Sequence, residues 1–279
     1  MGKIMREKSK ETIKLNGQRV LLGIAVLCLW ELISGKAAYL TINLKAFVLR
    51  IPYQIEPFWI SRPSDIISRL FELTKSGQLT YHLSITIFET IIGFIIGATL
   101  GIVIGFWLGR KVNLARIVDP YIMAVYSLPK IALAPLFILW FGIGVDMKIA
   151  IAAIIVFFLV FYNTFGGVRT VDPDLVDVVR IIGAKERQIL RKVVLPSTYP
   201  WIFTGFKLGI PYSLIGAVVG ELIATNKGMG YLLMEYSGWF DTSGVFAVLF
   251  VLMIVATILN LSVNYLEGHL MRWRQGLPS

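Results

Sequence analysis

Long apolar runs separated by short charged segments dominate the pattern of hydrophobic and polar positions along the 279-residue chain. A helix that crosses a bilayer needs about 20 mostly apolar residues, because its backbone must hydrogen-bond internally where water is absent. Runs of this kind predict about six transmembrane helices, of which the first is the shortest. They cover residues 20–33, 84–108, 119–141, 147–165, 201–224 and 245–266.

The composition supports a membrane protein of the all-α class. Hydrophobic residues make up 56% of the chain and charged residues only 16%, which is more apolar surface than a soluble domain of this length can bury. The single cysteine, Cys28, lies in an apolar run and cannot form an intramolecular disulfide. We therefore predict a polytopic membrane protein.

The net charge of +10 is better explained by membrane orientation than by nucleic-acid binding, because basic residues collect on the cytoplasmic side of membrane proteins. With the N-terminus placed in the cytoplasm, the cytoplasmic segments contain seventeen basic residues and the external segments eight, Lys148 among them. Lys130 and Lys207 fall inside predicted spans. We expect both termini to be cytoplasmic, the N-terminal segment to be retained, and no nucleic-acid partner.

The predicted spans divide the chain into four regions. These are a cytoplasmic segment 1–19, the first span with an external segment 20–81, a core 82–267 that contains a cytoplasmic connection 169–199, and a cytoplasmic tail 268–279. In the external segment, apolar positions at helical spacing predict an interfacial amphipathic helix over 63–75. Three prolines, Pro52, Pro57 and Pro63, predict loop or short pieces over 44–62.

Glycines recur every four residues along the second predicted span. They are Gly93, Gly97, Gly101, Gly105 and Gly109. On a helix of 3.6 residues per turn they form one smooth face, and such a face lets another helix approach closely within a membrane. The pattern fits either static packing or a sliding surface for conformational change.

The cytoplasmic connection 169–199 is too charged to enter lipid. Asp172 and Pro173 are typical of a helix start, and Gly183 is typical of a helix end. A second short helix is predicted over 184–194, with Pro196 as its end. Two short helices joined at a glycine form either a docking element for another protein or an amphipathic connector on the membrane surface.

Residues of this connection resemble the EAA loop of permeases from binding-protein-dependent ABC importers. The similarity rests on Asp177-Val178-Val179, on Gly183 six residues beyond Asp177, and on Val193 with Leu195-Pro196. The family pattern opens with Glu-Ala-Ala, so this chain keeps the acidic residue and enlarges the two small ones. The resemblance extends over 79–266, and the runs 128–144 and 228–233 resemble the nitrate, taurine and aliphatic sulfonate branch.

The resemblance implies a type I ABC importer permease fold in the inner membrane. It also implies a homodimer, a pair of cytoplasmic ATPase subunits and an extracytoplasmic substrate-binding protein as partners. The chain contains no GxxxxGK[ST] phosphate-binding loop, so we expect it to hold no cofactor and its ATPase partner to bind ATP and Mg²⁺. The residues expected to couple the permease to the ATPase are Asp177, Arg180, Gly183, Ala184, Lys185, Arg187, Leu195 and Pro196.

Two ionisable residues in the predicted spans are candidates for the translocation pathway, because charges inside a membrane usually face a cavity or a partner. Lys130 would suit an anionic substrate, although it fits a neutral, paired or snorkelling lysine equally well. Glu221 precedes a polar loop, so an interfacial hydrogen-bonding role is the alternative. The family suggests a sulfonate, taurine, nitrate or vitamin-precursor substrate, and the sequence does not choose among them.

Other classes of function find less support. The two histidines, His82 and His269, lie far apart along the chain, and no group of residues has the spacing of metal ligands or of a catalytic triad. We therefore expect neither a catalytic site nor a metal. A self-sufficient secondary transporter would carry an ion site and often an internal repeat, and we find no repeat. A membrane scaffold would explain the docking element but not the glycine face.

Overall fold

The structure is a computed structural model that describes residues 2–34, 39–44, 47–52 and 57–271. Helices dominate it, as expected for the all-α class. The helices are α1 Gly2–Ile33, α2 Pro57–Ile60, α3 Pro63–Lys75, α4 Gln78–Gly109, α5 Val112–Ser127, a 3-10 helix Lys130–Leu133, α6 Ala134–Phe141, α7 Val145–Arg169, α8 Pro173–Ile181, α9 Glu186–Ile189, a π-helix Leu190–Val194, α10 Leu195–Ile223, α11 Met229–Gly238 and α12 Thr242–Leu270.

A short hairpin interrupts the helical pattern near the start of the chain. Strand β1, Tyr39–Leu44, pairs antiparallel with β2, Phe47–Pro52, so that Tyr39 lies opposite Pro52. The sequence predicted loop or short pieces over 44–62, and within this range the structure has the four-residue helix α2 and the six-residue strand β2. Its proline stands at the last position of the strand, where a missing backbone N–H interrupts pairing least.

Among the described residues, four helices are long and apolar enough to cross a membrane, namely α4, α7, α12 and the continuous helix Glu186–Ile223. A fifth span is formed if α5 and Lys130–Phe141 are counted together, although the two parts are bent by 84° at Leu128 and Pro129. Helix α1, which carries the first predicted span, is not among these helices. Its large apolar side chains between Val20 and Leu32 are nevertheless mostly exposed.

The chain forms two compact units. The first contains residues from Met1–Gly77 and Glu235–Leu249. Here the Glu31 carboxylate at the end of α1 accepts hydrogen bonds from the backbone N–H and hydroxyl of Ser64, at 3.1 and 2.8 Å. Arg69 of α3 forms an ion pair with Asp241 at 2.7 Å. These contacts hold the amphipathic helix α3 against the end of α1 and the start of α12.

The second unit contains Gln78–Met234 and Phe250–Ser279, and α7 lies at its centre between α4 and α10. The glycine face of α4 packs on α7. A Cβ atom added at Gly93 would lie 2.5 Å from the Ala152 Cβ, and one at Gly101 would lie 2.9 Å from the Phe157 carbonyl oxygen. Similarly close approaches, several to backbone atoms, occur at Gly97, Gly105 and Gly109.

Helix α10 also meets α7 through glycines. A Cβ atom at Gly216 would lie 2.8 Å from the Cα of Ala152, and one at Gly220 would lie 2.8 Å from the Lys148 side chain. Ser213 adds a hydrogen bond from α10 to the Thr90 carbonyl of α4, at 2.7 Å. The three helix backbones are therefore packed more closely than side chains would permit.

The start of α10 differs from the sequence prediction. Pro196 was expected to end the second short helix of the connection, yet the chain remains helical from Glu186 to Ile223. The π-helix Leu190–Val194 immediately precedes Leu195 and Pro196. Only Leu195 separates Pro196 from this π-helix, so the N–H that proline lacks is missing where the regular hydrogen-bond pattern of the α-helix is already interrupted.

We expect Gly97→Ala to destabilise the protein by about 1–3 kcal/mol, because the added methyl group would overlap the backbone of α7. The matched control is Gly166→Ala in α7, where a Cβ would meet nothing within 4 Å. Alanine there should be neutral or stabilising by up to about 1 kcal/mol, because it favours the helix. Thermal unfolding in detergent measures both changes. Equal effects would contradict the close packing.

Candidate coupling and translocation sites

The first candidate site is the coupling segment, residues 169–199, which carries the residues that resemble the EAA loop. Helix α8 begins where the Asp172 side chain accepts a hydrogen bond from the backbone N–H of Asp174, at 2.9 Å. The turn after α8 contains Gly183 with φ +93°, a left-handed conformation that side chains disfavour. The glycine lets the chain reverse into α9, where the Lys185 N–H donates to Gln188 at 2.8 Å.

Arg180 holds the two short helices together. Its guanidinium forms ion pairs with Asp177 at 2.8 Å and with Glu186 of α9 at 2.9 Å. The hydrogen bond to Glu186 and the charge of Asp177 raise the pKa of Arg180. Because Asp177 and Arg180 are one helical turn apart, the triad fixes the direction in which α9 leaves Gly183.

The other predicted coupling residues surround this triad. Lys185 and Arg187 are exposed, whereas Ala184, Leu195 and Pro196 are half-buried. Next to them, Ile181 and Ile182 are 85% and 80% exposed, and Leu175 and Val178 are about half exposed. The coupling segment thus presents an apolar edge flanked by charges. Beside it lies a cleft of about 210 Å³ whose lining includes Gly109, Val176 and Arg180.

The second candidate site is a buried polar cluster that joins α4, α7 and α10. Lys148 of α7 is 2% exposed and forms an ion pair with Glu89 of α4, which is fully buried. Glu221 of α10 is also buried and lies close enough to interact with both residues. One ammonium group therefore compensates two buried carboxyl groups. Each of the three helices contributes one of these three ionisable side chains.

The same cluster caps the first turn of α11. The backbone N–H groups of Gly228, Met229 and Gly230 donate to His82 Nδ1, to the Thr86 hydroxyl and to the Glu221 carboxylate, at 3.0, 2.8 and 2.7 Å. Thr86 in turn donates to Glu221 at 2.7 Å. Helix N-terminal N–H groups have no partner within their own helix, so these side chains satisfy them.

The turn has the sequence Gly228-Met229-Gly230, and close contacts explain why both ends of it are glycine. Gly228 has φ +104°, and a Cβ atom there would overlap the carboxylate of Glu221. A Cβ atom at Gly230 would lie 2.5 Å from the carbonyl oxygen of Val218. Both positions therefore require glycine if Glu221 is to reach the backbone of α11.

These positions change the interpretation of two charged residues. Lys148 was counted among the external basic residues, which is wrong, because it lies buried within α7 and paired with Glu89. For Glu221 the alternative to a pathway role was an interfacial hydrogen-bonding role. Glu221 does accept hydrogen bonds, but it does so in the interior of the helix bundle. The Glu89–Lys148 pair is a site that the sequence did not predict, and its signal in the sequence is the presence of ionisable residues in apolar runs.

Lys130 lies at the break between α5 and α6. Its ammonium group hydrogen-bonds the carbonyl of Tyr126, and it stands 4.2 Å from the centre of the Tyr126 ring and 5.2 Å from that of Phe158. The Tyr162 ring lies 4.9 Å from that of Tyr126. Among the described residues, the buried hydroxyl of Tyr162 has no hydrogen-bond partner. A cation and two aromatic rings therefore meet where the span is interrupted, and the Tyr162 ring packs next to them.

We expect Lys148→Met to destabilise the protein by about 3–5 kcal/mol, because it leaves two buried carboxyl groups without a cation. The control is Lys227→Met, which removes an exposed lysine from the nearby loop and should change stability little. The double variant Lys148→Met with Glu89→Met should recover only part of the loss, because Glu221 remains buried without a cation. Thermal unfolding tests all three, and a Lys148→Met protein as stable as Lys227→Met would contradict the role of the cluster.

The chain is similar to proteins of one known transport family. Residues 97–272 match the family model described as binding-protein-dependent transport system inner membrane component. A putative aliphatic sulfonates transport permease of Bacillus subtilis is 34% identical over 91% of this chain and 87% of its own length. A formylaminopyrimidine transport permease of Halalkalibacterium halodurans is 32% identical over 79% of this chain and 88% of its own length.

The fold is also found among solved structures. An inward-facing form of the MetNI methionine ABC transporter aligns over 66% of this chain and 94% of its own, with a TM-score of 0.57 and 19% sequence identity. This likeness supports the type I importer permease fold that the coupling segment implied. The chain belongs to the family of binding-protein-dependent transport system inner membrane components, the permease subunits of ATP-driven importers.

Proposed function

We propose that this permease conducts a small anionic solute that an extracytoplasmic binding protein delivers. The similar permease named for aliphatic sulfonates supports a sulfonate, and taurine and nitrate belong to the same range. Formylaminopyrimidine carries no anionic group, so the permease named for it supports a vitamin precursor as the alternative. The observation that carries the choice of an anion is Lys130, a cation at the break of a membrane span. Discontinuous helices in transporters often mark substrate sites.

The coupling segment is the surface that an ATPase subunit would contact. Its apolar edge around Ile181 and Ile182 is exposed, and Lys185 and Arg187 beside it suit acidic groups on a partner. The ion pairs of Arg180 join α8 to α9, so the segment would move as one body. Closure of the ATPase pair would then tilt the attached helix α10 and change the side to which the pathway opens.

The complete importer would contain two copies of this chain, two ATPase subunits that bind ATP and Mg²⁺, and the binding protein. Both termini and the coupling segment would lie on the cytoplasmic side, as the distribution of basic residues favours. In this arrangement Lys130 and its aromatic neighbours would face the space between the two copies. Glu221 would serve the stability of the far end of α10 rather than contact solute.

The experiment that tests the proposal measures ATP hydrolysis in nanodiscs that contain this chain, its ATPase and its binding protein. Sulfonates, taurine, nitrate and vitamin precursors are added in turn. Stimulation by one loaded binding protein would support the importer and identify the solute. If no ATPase copurified and the chain alone moved solute down an ion gradient, the importer proposal would be wrong and the chain would be a secondary transporter.

In this assay, we expect Gly183→Val to abolish most of the stimulation while basal ATPase activity persists. A β-branched residue is strained at φ +93°, so the angle between α8 and α9 would change. The matched control is Gly142→Val, which introduces the same residue at φ +75° outside the coupling segment, where a Cβ also has open space. Unchanged stimulation in Gly183→Val would remove the coupling role.

We expect Lys130→Met to reduce uptake of an anionic substrate about tenfold, which corresponds to roughly 1.4 kcal/mol of lost stabilisation. The control is Lys111→Met, because Lys111 makes a similar contact with the Trp107 ring, at 4.6 Å, away from the break. Uptake is measured in proteoliposomes that contain the complete importer. Anion uptake that survives Lys130→Met undiminished would exclude this residue from the pathway.

A further inference from the structure

Four exposed aromatic side chains lie on two short segments of the first unit. We call this set the aromatic rim; it consists of Phe58, Trp59, Trp239 and Phe240. Trp59 is 68% exposed and Phe240 is 73% exposed. The Phe58 ring joins the two segments, because its centre lies 5.1 Å from that of Trp59 and 6.2 Å from that of Phe240. Phe58, Trp59 and Phe240 therefore form one patch, and Trp239 precedes Phe240 in the chain.

Hydrogen bonds fix the backbone that carries the rim. The Thr242 hydroxyl donates to the carbonyl of Phe58 at 2.5 Å, and the hydroxyls of Ser61 and Ser243 are bonded at 2.9 Å. Ser61 and Phe240 both adopt φ +56°, a left-handed conformation that is unfavourable for residues other than glycine. The backbone is thus held in an unfavourable conformation at both residues, while the aromatic side chains remain exposed on the surface.

Two apolar helices have an end in the unit that carries the rim. Helix α1 finishes at Ile33, and its Glu31 is bonded to Ser64 at the start of α3. Helix α12, a candidate membrane span, begins at Thr242 beside the rim. The rim therefore lies at the start of one candidate membrane span, and the end of α1 belongs to the same unit.

Helix α3 belongs to the same unit. Ile66 and Leu73 are buried within the unit, whereas Ile67 and Phe71, one turn apart, are 67% and 69% exposed. The Glu72 side chain is exposed to a similar extent but lies on a different side of the helix. The exposed apolar pair gives the first unit a second apolar surface on α3, and α1, which is hydrogen-bonded to the start of α3, carries exposed apolar side chains as well.

We propose that the aromatic rim, together with Ile67 and Phe71, is inserted into the lipid headgroup region of one leaflet. Tryptophan favours this region because its ring is apolar while its indole N–H finds polar partners. The rim would set the depth of α1, α3 and α12. A lipid occupant is favoured over a soluble protein because the rim is hydrogen-bonded to the start of α12, a helix long and apolar enough to cross a membrane.

The test uses nitroxide labels on single cysteines, introduced into a Cys28→Ser background in nanodiscs that contain the complete importer. Labels at Trp59→Cys and Ile67→Cys should collide with oxygen, which partitions into lipid, several-fold more readily than with a water-soluble nickel chelate. The matched control is Glu72→Cys, on the same helix and with similar exposure, where the preference should reverse. Equal nickel access at all three positions would overturn the proposal.

A second measurement uses tryptophan fluorescence and keeps an aromatic side chain at every rim position. Trp59→Phe and Trp239→Phe should each remove a part of the tryptophan fluorescence that lipids brominated near the headgroups quench and that aqueous iodide does not. If these components are quenched by iodide instead, and added binding protein protects them, the rim is a protein docking surface and the lipid assignment is wrong. The result does not depend on which solute is transported.

Discussion

The close backbone contact of α7 with α4 and α10 is the constraint on which the second unit depends. In lipid, the hydrophobic effect does not drive helices together, so dense packing has to supply the attraction. Glycines at every fourth position of α4, and Gly216 and Gly220 of α10, remove the side chains that would separate the helices. The same closeness brings Glu89, Lys148 and Glu221 within reach of one another.

The buried charges turn this packing into a specific arrangement. A face of glycines alone allows one helix to slide along another by a turn. Lys148 limits such sliding, because a shift of α7 by one turn, about 5.4 Å, would separate it from Glu89 and leave charges buried without partners. Glu221 extends the constraint to α11, whose first N–H groups it caps together with His82 and Thr86.

Local features of the fold could be predicted from the sequence, and contacts between distant residues could not. The start of α8 at Asp172, the left-handed turn at Gly183 and the helix over 63–75 each depend on neighbouring residues. The pair Glu89–Lys148 depends on which helices pack together, and an isolated lysine near the end of an apolar run fits an external position equally well. Pro196 predicted a helix end that does not occur. Proline usually ends a helix, but here it follows a π-helix, which the sequence did not predict.

The uninterrupted helix from Glu186 to Ile223 has a mechanical consequence. At 1.5 Å per residue, its 38 residues extend about 57 Å, from the coupling segment to the buried charges near Glu221. A rod of this length amplifies small rotations, since a tilt of about 5° about one end displaces the other by roughly 5 Å. If the coupling segment moves with an ATPase, as proposed, this one helix would transmit that motion from the segment to the buried charges at its other end.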